Sequence, residues 1–293
     1  MPQLSADIRQ ALLTGVLALA IAACLLLLMW QFRPAQPVTA AAEPVQPPAS
    51  RQVIEVSTAR EMARALDAAG ISWPPAAGQL PGVVVAGLPD DMDSLTASER
   101  QALFLRMVLV PTVIANRNIS QERRYLDAIT RHGLPVSGSQ ARITLEALAQ
   151  RYMIAGGLEA PDALEQLRQR VDEIPVALVL AAAVVESGWG LSRFAVSSNA
   201  LFGQWSGRVG QVPRSFERPD ESVHHFMHTL NTHPAFTEFR QARSDAAPLS
   251  VMSETLTPWS PAHEGYTREL QLIIEAYELD QLPPMPPSDS AHD

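Results

Sequence analysis

Ten apolar residues in a row, Val176 to Val185, end on a carboxylate, Glu186. Pro175 stands where a helix can start, and Ser187 and Gly188 stand where one can stop. A helix made of this run has no polar face, so it is buried nearly all round and other helices must wrap it. The same pattern makes Glu186 the most informative residue in the chain. A carboxylate at the rim of an apolar helix is costly unless it is protonated, paired or near solvent. Trp189 adds an apolar ring nearby. Such a carboxyl has a raised pKa, which suits a general acid that protonates a glycosidic oxygen near neutral pH. The competing reading is structural: Glu186 pairs with Arg193 or with a helix end.

The surrounding pattern is helical. Thr96 and Glu99 form a capping box, and Leu103, Met107, Val110 and Ile114 follow at near-helical spacing. Pro111 is expected to kink or end that helix, with Asn118 or Ser120 capping the next. Further helices are expected near residues 139–154, 161–171, 219–230, 234–240 and 265–279. Strand signal is scarce: Val83–Val85 is one extended stretch, and residues 208–216 one candidate hairpin. The expected class is therefore mainly α, with at most one small β-hairpin. Residues 51–95 read as a partly ordered segment carrying a short helix over Glu61–Ala69 and no evident chemistry. The main domain is placed at 96–282 and a loose Pro-rich tail at 283–293.

The N-terminus carries a targeting signal. After a flank at residues 1–10, residues 11–30 are apolar apart from Thr14 and carry no charge. About 20 such residues can cross a bilayer as a helix. A single-pass anchor in the inner membrane is expected, followed by a Pro/Ala-rich linker at 31–50. Two alternatives stay open: lipoprotein processing at Cys24, and signal-peptidase cleavage near Val38–Ala40. All three export the remainder to the periplasm or otherwise outside the cytoplasm. The single cysteine excludes a disulfide within the chain. All 22 basic residues are arginine, and the net charge of -9 without a sustained basic run argues against a nucleic-acid partner.

The block from Ala181 to Gly203, AAAVVESGWGLSRFAVSSNALFG, resembles the signature of the bacterial glucosaminidase-domain family, glycoside hydrolase family 73 and its relatives. Residues 215–236, Leu88-Pro89 and the stretch from Phe104 to Asn116 resemble its Bax-type subgroup. The resemblance covers roughly residues 83–280. It implies a lysozyme-like catalytic domain that hydrolyses β-1,4 bonds in peptidoglycan glycan strands as an endo-N-acetylglucosaminidase, without metal or organic cofactor. Glu186 matches the catalytic acid and Tyr266 a cleft tyrosine that orients the acetamido group or a water. Trp189, Asn199, Phe202, Gly203 and Trp205 are the expected substrate-binding set, with Trp189, Phe202 and Trp205 stacking on sugar faces.

One departure bears on mechanism. Relatives carry a longer lobe that can hold a second acid, whereas Gln204 to Ser215 contains no Asp or Glu. Glu217 is a candidate replacement, while Asp220 and Glu221 read as ordinary first-turn helix acids. His224 and His228 share a helix face, yet no further ligand is evident, so they and His225 read as solvated helix residues rather than a metal site. The rival function is a catalytically inactive glycan-binding or scaffold protein of the same fold.

Overall fold

The computed structural model describes residues 51–78, 80–205, 213–260 and 265–284. The expected membrane span and linker lie outside them, as do most of the candidate hairpin and nearly all of the tail. The described chain is mainly helical.

Its first part is a strand–helix–strand unit. Strand β1 (Gln52–Ile54) and β2 (Val83–Val85) pair in parallel, with Val53 opposite Val84. Parallel strands need a long crossover, which contains helix α1 (Ala59–Ala68), capped by Thr58 accepting from the Glu61 N–H. The small sheet is thus this parallel pair, and β1 was not anticipated. Ala59, Met62, Leu66, Val83–Val85, Leu88 and Met92 join the same apolar core as the later helices.

Helix α2 (Ala97–Ile129) opens on the expected capping box between Thr96 and Glu99. It does not end at Pro111 but continues through it, and Asn118 and Ser120 lie within the helix. A proline there removes one backbone bond and costs roughly 3 kcal/mol. The loss is offset because Leu103 through Asn116 are all buried. This helix is long and apolar enough to cross a membrane, yet 83% of its most apolar stretch is covered by the protein. Asn116 ties it to the next layer, donating to the Ile174 carbonyl at 2.7 Å and accepting from the Ile174 N–H at 2.9 Å.

Helices α3 (Gln140–Arg151) and α4 (Ala163–Arg170) lead to α5 (Val176–Ser187), the apolar run itself. Leu178 through Ala183 on α5 are completely buried. Short α6 (Arg193–Ser198) is capped by Ser192. Then come α7 (Pro219–Thr232), α8 (Thr237–Ser244), α9 (Leu249–Glu254) and α10 (Tyr266–Ala276). Helix α5 packs on α10 and α2, and α2 packs on α7. The C-terminal end of α5 therefore meets the start of α10, and there the candidate site forms.

Candidate active site

Glu186 lies in the last turn of α5. Helix C-termini carry partial negative charge, so this position already disfavours a carboxylate. Burial pushes its pKa up to about 7, partly opposed by the hydrogen bond from Tyr266. Among the described residues no charged group contributes to that shift, so Arg193 is not its counter-ion. Arg193 instead lies over the Phe194 ring, 5.0 Å from its centroid. The structural alternative for Glu186 is removed in that form.

Three features fix the carboxyl. Tyr266, at the first turn of α10, is buried and directs its hydroxyl at Glu186; burial and that neighbour raise its own pKa. Gly203 closes the other side. Its backbone is left-handed at φ +59, and a Cβ there would stand 2.8 Å from Glu186 Oε2. Only glycine admits this approach. Below, Ser187 acts as a clamp, donating to the Ala183 carbonyl at 2.6 Å and accepting from the Gly190 N–H at 2.9 Å.

The chain leaves α5 under strain. Gly188, Trp189 and Gly190 are all left-handed, with φ of 56, 63 and 76. For Trp189 this conformation is uncommon and costs roughly 1 kcal/mol or more. It is held by packing: the Trp189 ring meets Tyr277 at 4.9 Å and Phe104 at 6.3 Å between centroids. A Cβ on Gly190 would come within 2.7 Å of Leu88 Cδ2 and 3.0 Å of Phe104 Cδ2. The segment after β2 thus supports the site floor through Leu88, in the Leu88-Pro89 pair that resemblance had marked without a role.

Residues 161–279 match the glucosaminidase family model, described as mannosyl-glycoprotein endo-beta-N-acetylglucosaminidase. Protein bax of Escherichia coli (strain K12) is 33% identical over 193 residues, covering 62% of this chain and 69% of that protein. The chain belongs to the Bax-type glucosaminidase-domain family. The catalytic domain of the autolysin Auto from Listeria monocytogenes aligns at a TM-score of 0.33 and 17% identity, over 56% of this chain and 96% of that one.

Against this Bax-type background the predicted residues separate. Glu186, Tyr266 and Gly203 come together. Trp205 is 54% exposed, with its ring 6.3 Å from that of Phe194. Its backbone bridges to Pro213 in antiparallel fashion across the ends of the candidate hairpin. Phe202 does not stack on sugar. It is completely buried and lies parallel to Phe226, with centroids 4.2 Å apart. An aromatic beside a glycine turn gives no sequence clue to which side it faces, and here the core takes it. Asn199 is likewise committed to structure: its amide donates to the carbonyls of Phe216 and Glu217, at 3.2 and 3.0 Å. Its left-handed backbone ends α6.

Glu217 is exposed, and its carboxylate is absent from the influences on Glu186. Asp220 is more than a first-turn acid. It is 2% exposed and pairs with Arg51 and, at 3.0 Å, with Arg218. The α7 histidines also depart from expectation, being partly buried rather than solvated. His225 Nε2 accepts from Arg214 at 2.9 Å, and His228 Nε2 lies 2.9 Å from the Arg151 carbonyl. His224 lines a cavity of about 30 Å³ with Glu122, Tyr152 and Asn231. Burial lowers the pKa of all three, to about 4 for His224 and about 3 for His225. Neutral imidazoles packed this way serve the fold.

Proposed function

We propose that this protein is a peptidoglycan hydrolase of lysozyme-like fold that cleaves β-1,4 bonds in glycan strands, as an endo-N-acetylglucosaminidase with Glu186 as general acid. The observation that carries the reading is a carboxyl largely withdrawn from water, with no cation acting on it among the described residues, held between Tyr266 and Gly203 with its pKa near 7. At neutral pH about half of such groups hold a proton. Glu186 donates it to the leaving oxygen, and Tyr266 orients the carboxyl and the group bound beside it. Exposed Trp205 offers a sugar platform. The second role falls to water, to the substrate's own acetamido oxygen or to Glu217. Residues 11–30 tether the domain to the inner membrane, with the catalytic part in the periplasm.

Mass spectrometry of reduced fragments released from purified sacculi tests the reaction. New reduced N-acetylglucosamine ends are expected from wild type and not from Glu186→Gln. New N-acetylmuramic acid ends would reject the bond assignment. A second reading, an inactive glycan-binding protein, is favoured by one observation: among the described residues no second carboxylate acts on Glu186. Binding of sacculi without released fragments would establish it. Topology is tested by a reporter fused after Asp293, expected to be active only when exported. Cytoplasmic activity would reject the tether.

A further inference from the structure

The turn that presses Gly203 against Glu186 is fixed by side chains that do not touch the carboxyl. Ser222, in the first turns of α7, is completely buried. Its hydroxyl accepts from the Leu201 N–H at 3.0 Å and donates to Gln204 Oε1 at 2.8 Å. The Gln204 amide, 3% exposed, donates back to the Ser222 carbonyl at 2.8 Å. From the opposite side Trp259 Nε1 donates to the Phe202 carbonyl at 2.9 Å. The Arg214 N–H donates to the Gln204 carbonyl at 2.8 Å, fastening the returning strand of the loop. Residues 201, 202 and 204 are thus each held, leaving Gly203 no freedom to withdraw from Glu186 Oε2.

Buried glutamine and serine are costly unless fully bonded. Here both are bonded, and their reciprocal pair links the start of α7 to this turn, so what their burial fixes is the position of the Gly203 turn. We infer that Gln204 and Ser222 are positioning residues, a polar clamp that holds the Gly203 wall against Glu186 and keeps water from that side of its carboxyl. The inference rests on Glu186 being the acid only for its catalytic consequence; its physical content concerns the carboxyl's surroundings.

Titration of Glu186 in full-length protein carrying ¹³C-carboxyl glutamate, assigned by Glu186→Gln, tests the clamp directly. Gln204→Met keeps volume and removes the bonds. Its Glu186 midpoint should fall by about one pH unit, which lowers the protonated fraction at pH 7 about fivefold. The kcat on glycan strands should fall in step at pH 7 with KM little changed. Ser222→Ala should shift the midpoint in the same direction and by less, because the Gln204–Ser222 backbone bond survives. Thr232→Val is the comparison: it deletes a buried bond at the far end of α7, from Thr232 to the His228 carbonyl at 2.7 Å. An unshifted midpoint in folded Gln204→Met or Ser222→Ala overturns the clamp, and so does an equal shift in Thr232→Val. If wild type cleaves nothing, the hydrolase reading fails while the titration still decides the clamp.

Discussion

Two carboxylates withdrawn from water, Asp220 and Glu186, lie at opposite kinds of helix end. Asp220 lies in the first turn of α7, where the helix favours negative charge, and it pairs with Arg51 and Arg218. Glu186 lies in the last turn of α5, where the helix disfavours it, and its polar companion is the Tyr266 hydroxyl. Desolvation acts on both. Among the described residues only the first is compensated by cations, which suits the first to a fixed ion and the second, on the proposed function, to a proton carrier. Burial of an acid is therefore not itself a sign of catalysis; what decides is whether the surroundings favour the charged or the neutral form.

The sharpest way to break the comparison is to neutralise each acid. Glu186→Gln should fold and bind glycan, and its cleavage rate should fall by roughly 10²- to 10⁴-fold, the range for loss of general acid catalysis. Asp220→Asn should do the opposite: it strands two arginines and should destabilise the fold by about 3–5 kcal/mol. Its activity per folded molecule should change little. Denaturant titration beside rate measurements on both variants separates them. Near-normal turnover in folded Glu186→Gln would sink the mechanism.

Glu186 also makes stability depend on pH. The folded pKa of Glu186 lies above its ordinary value of 4.5, near 7. Below 4.5 the group is neutral in both states and costs nothing. As pH rises from 4.5 through 7 the unfolded chain ionises first, so stability is lost, and above 7 the loss is constant. A shift of this size corresponds to about 3 kcal/mol. Glu186→Gln should thus exceed wild type in thermal midpoint at pH 8 and match it at pH 4. The α7 histidines, whose pKa values are lowered, lose stability as pH falls below 6.5, but they do so equally in both proteins. A variant less stable than wild type at pH 8 would mean that Glu186 is ionised and paired.

Gly203→Ala probes the wall rather than the acid. The new Cβ would meet Oε2 at 2.8 Å on a left-handed backbone. It should cost about 1–2 kcal/mol of stability and reduce kcat by roughly tenfold through displacement of the carboxyl. A variant with normal kcat would show that the close approach is incidental.

How much of this was legible follows from the kind of signal. The run 176–185 and its terminal acid dictated α5 and Glu186, because ten apolar residues in a row admit few alternatives. Capping at Thr96 was equally local. Tyr266 came through resemblance, since its helical stripe alone also fits a core residue. The continuation of α2 through Pro111 was hidden because it depends on burial by distant helices. Phe202, Asp220 and the histidines were misplaced for the same reason: their roles are set by Phe226, by Arg51 and Arg218, and by Arg214 and Arg151, which sequence spacing does not bring together. Ser222 and Gln204 gave no signal, because a buried serine in a helix turn resembles an exposed one in sequence.

The smallest expected effect sharpens the comparison from the substrate side. Phe202 and Trp205 are three residues apart on the same connection, yet one is completely buried and the other 54% exposed. An indole this exposed contributes little to folding, because most of its surface is already in water. Trp205→Ala should therefore change the thermal midpoint by no more than a degree or two. Its contact with Phe194 is edge-on at 6.3 Å, the kind of aromatic pair worth about 0.5–1.5 kcal/mol when buried and less when wet. If the free face stacks on a sugar ring, affinity for glycan strands should fall by roughly tenfold, about 1.4 kcal/mol, with kcat nearly unchanged. Phe202→Ala is the counterpart: it should cost about 3–5 kcal/mol of stability, as expected for a core aromatic. Pull-down with sacculi and thermal melts of the two variants check both. If Trp205→Ala destabilises the fold and leaves affinity intact, the exposed ring is a structural brace and the sugar platform lies elsewhere along the cleft.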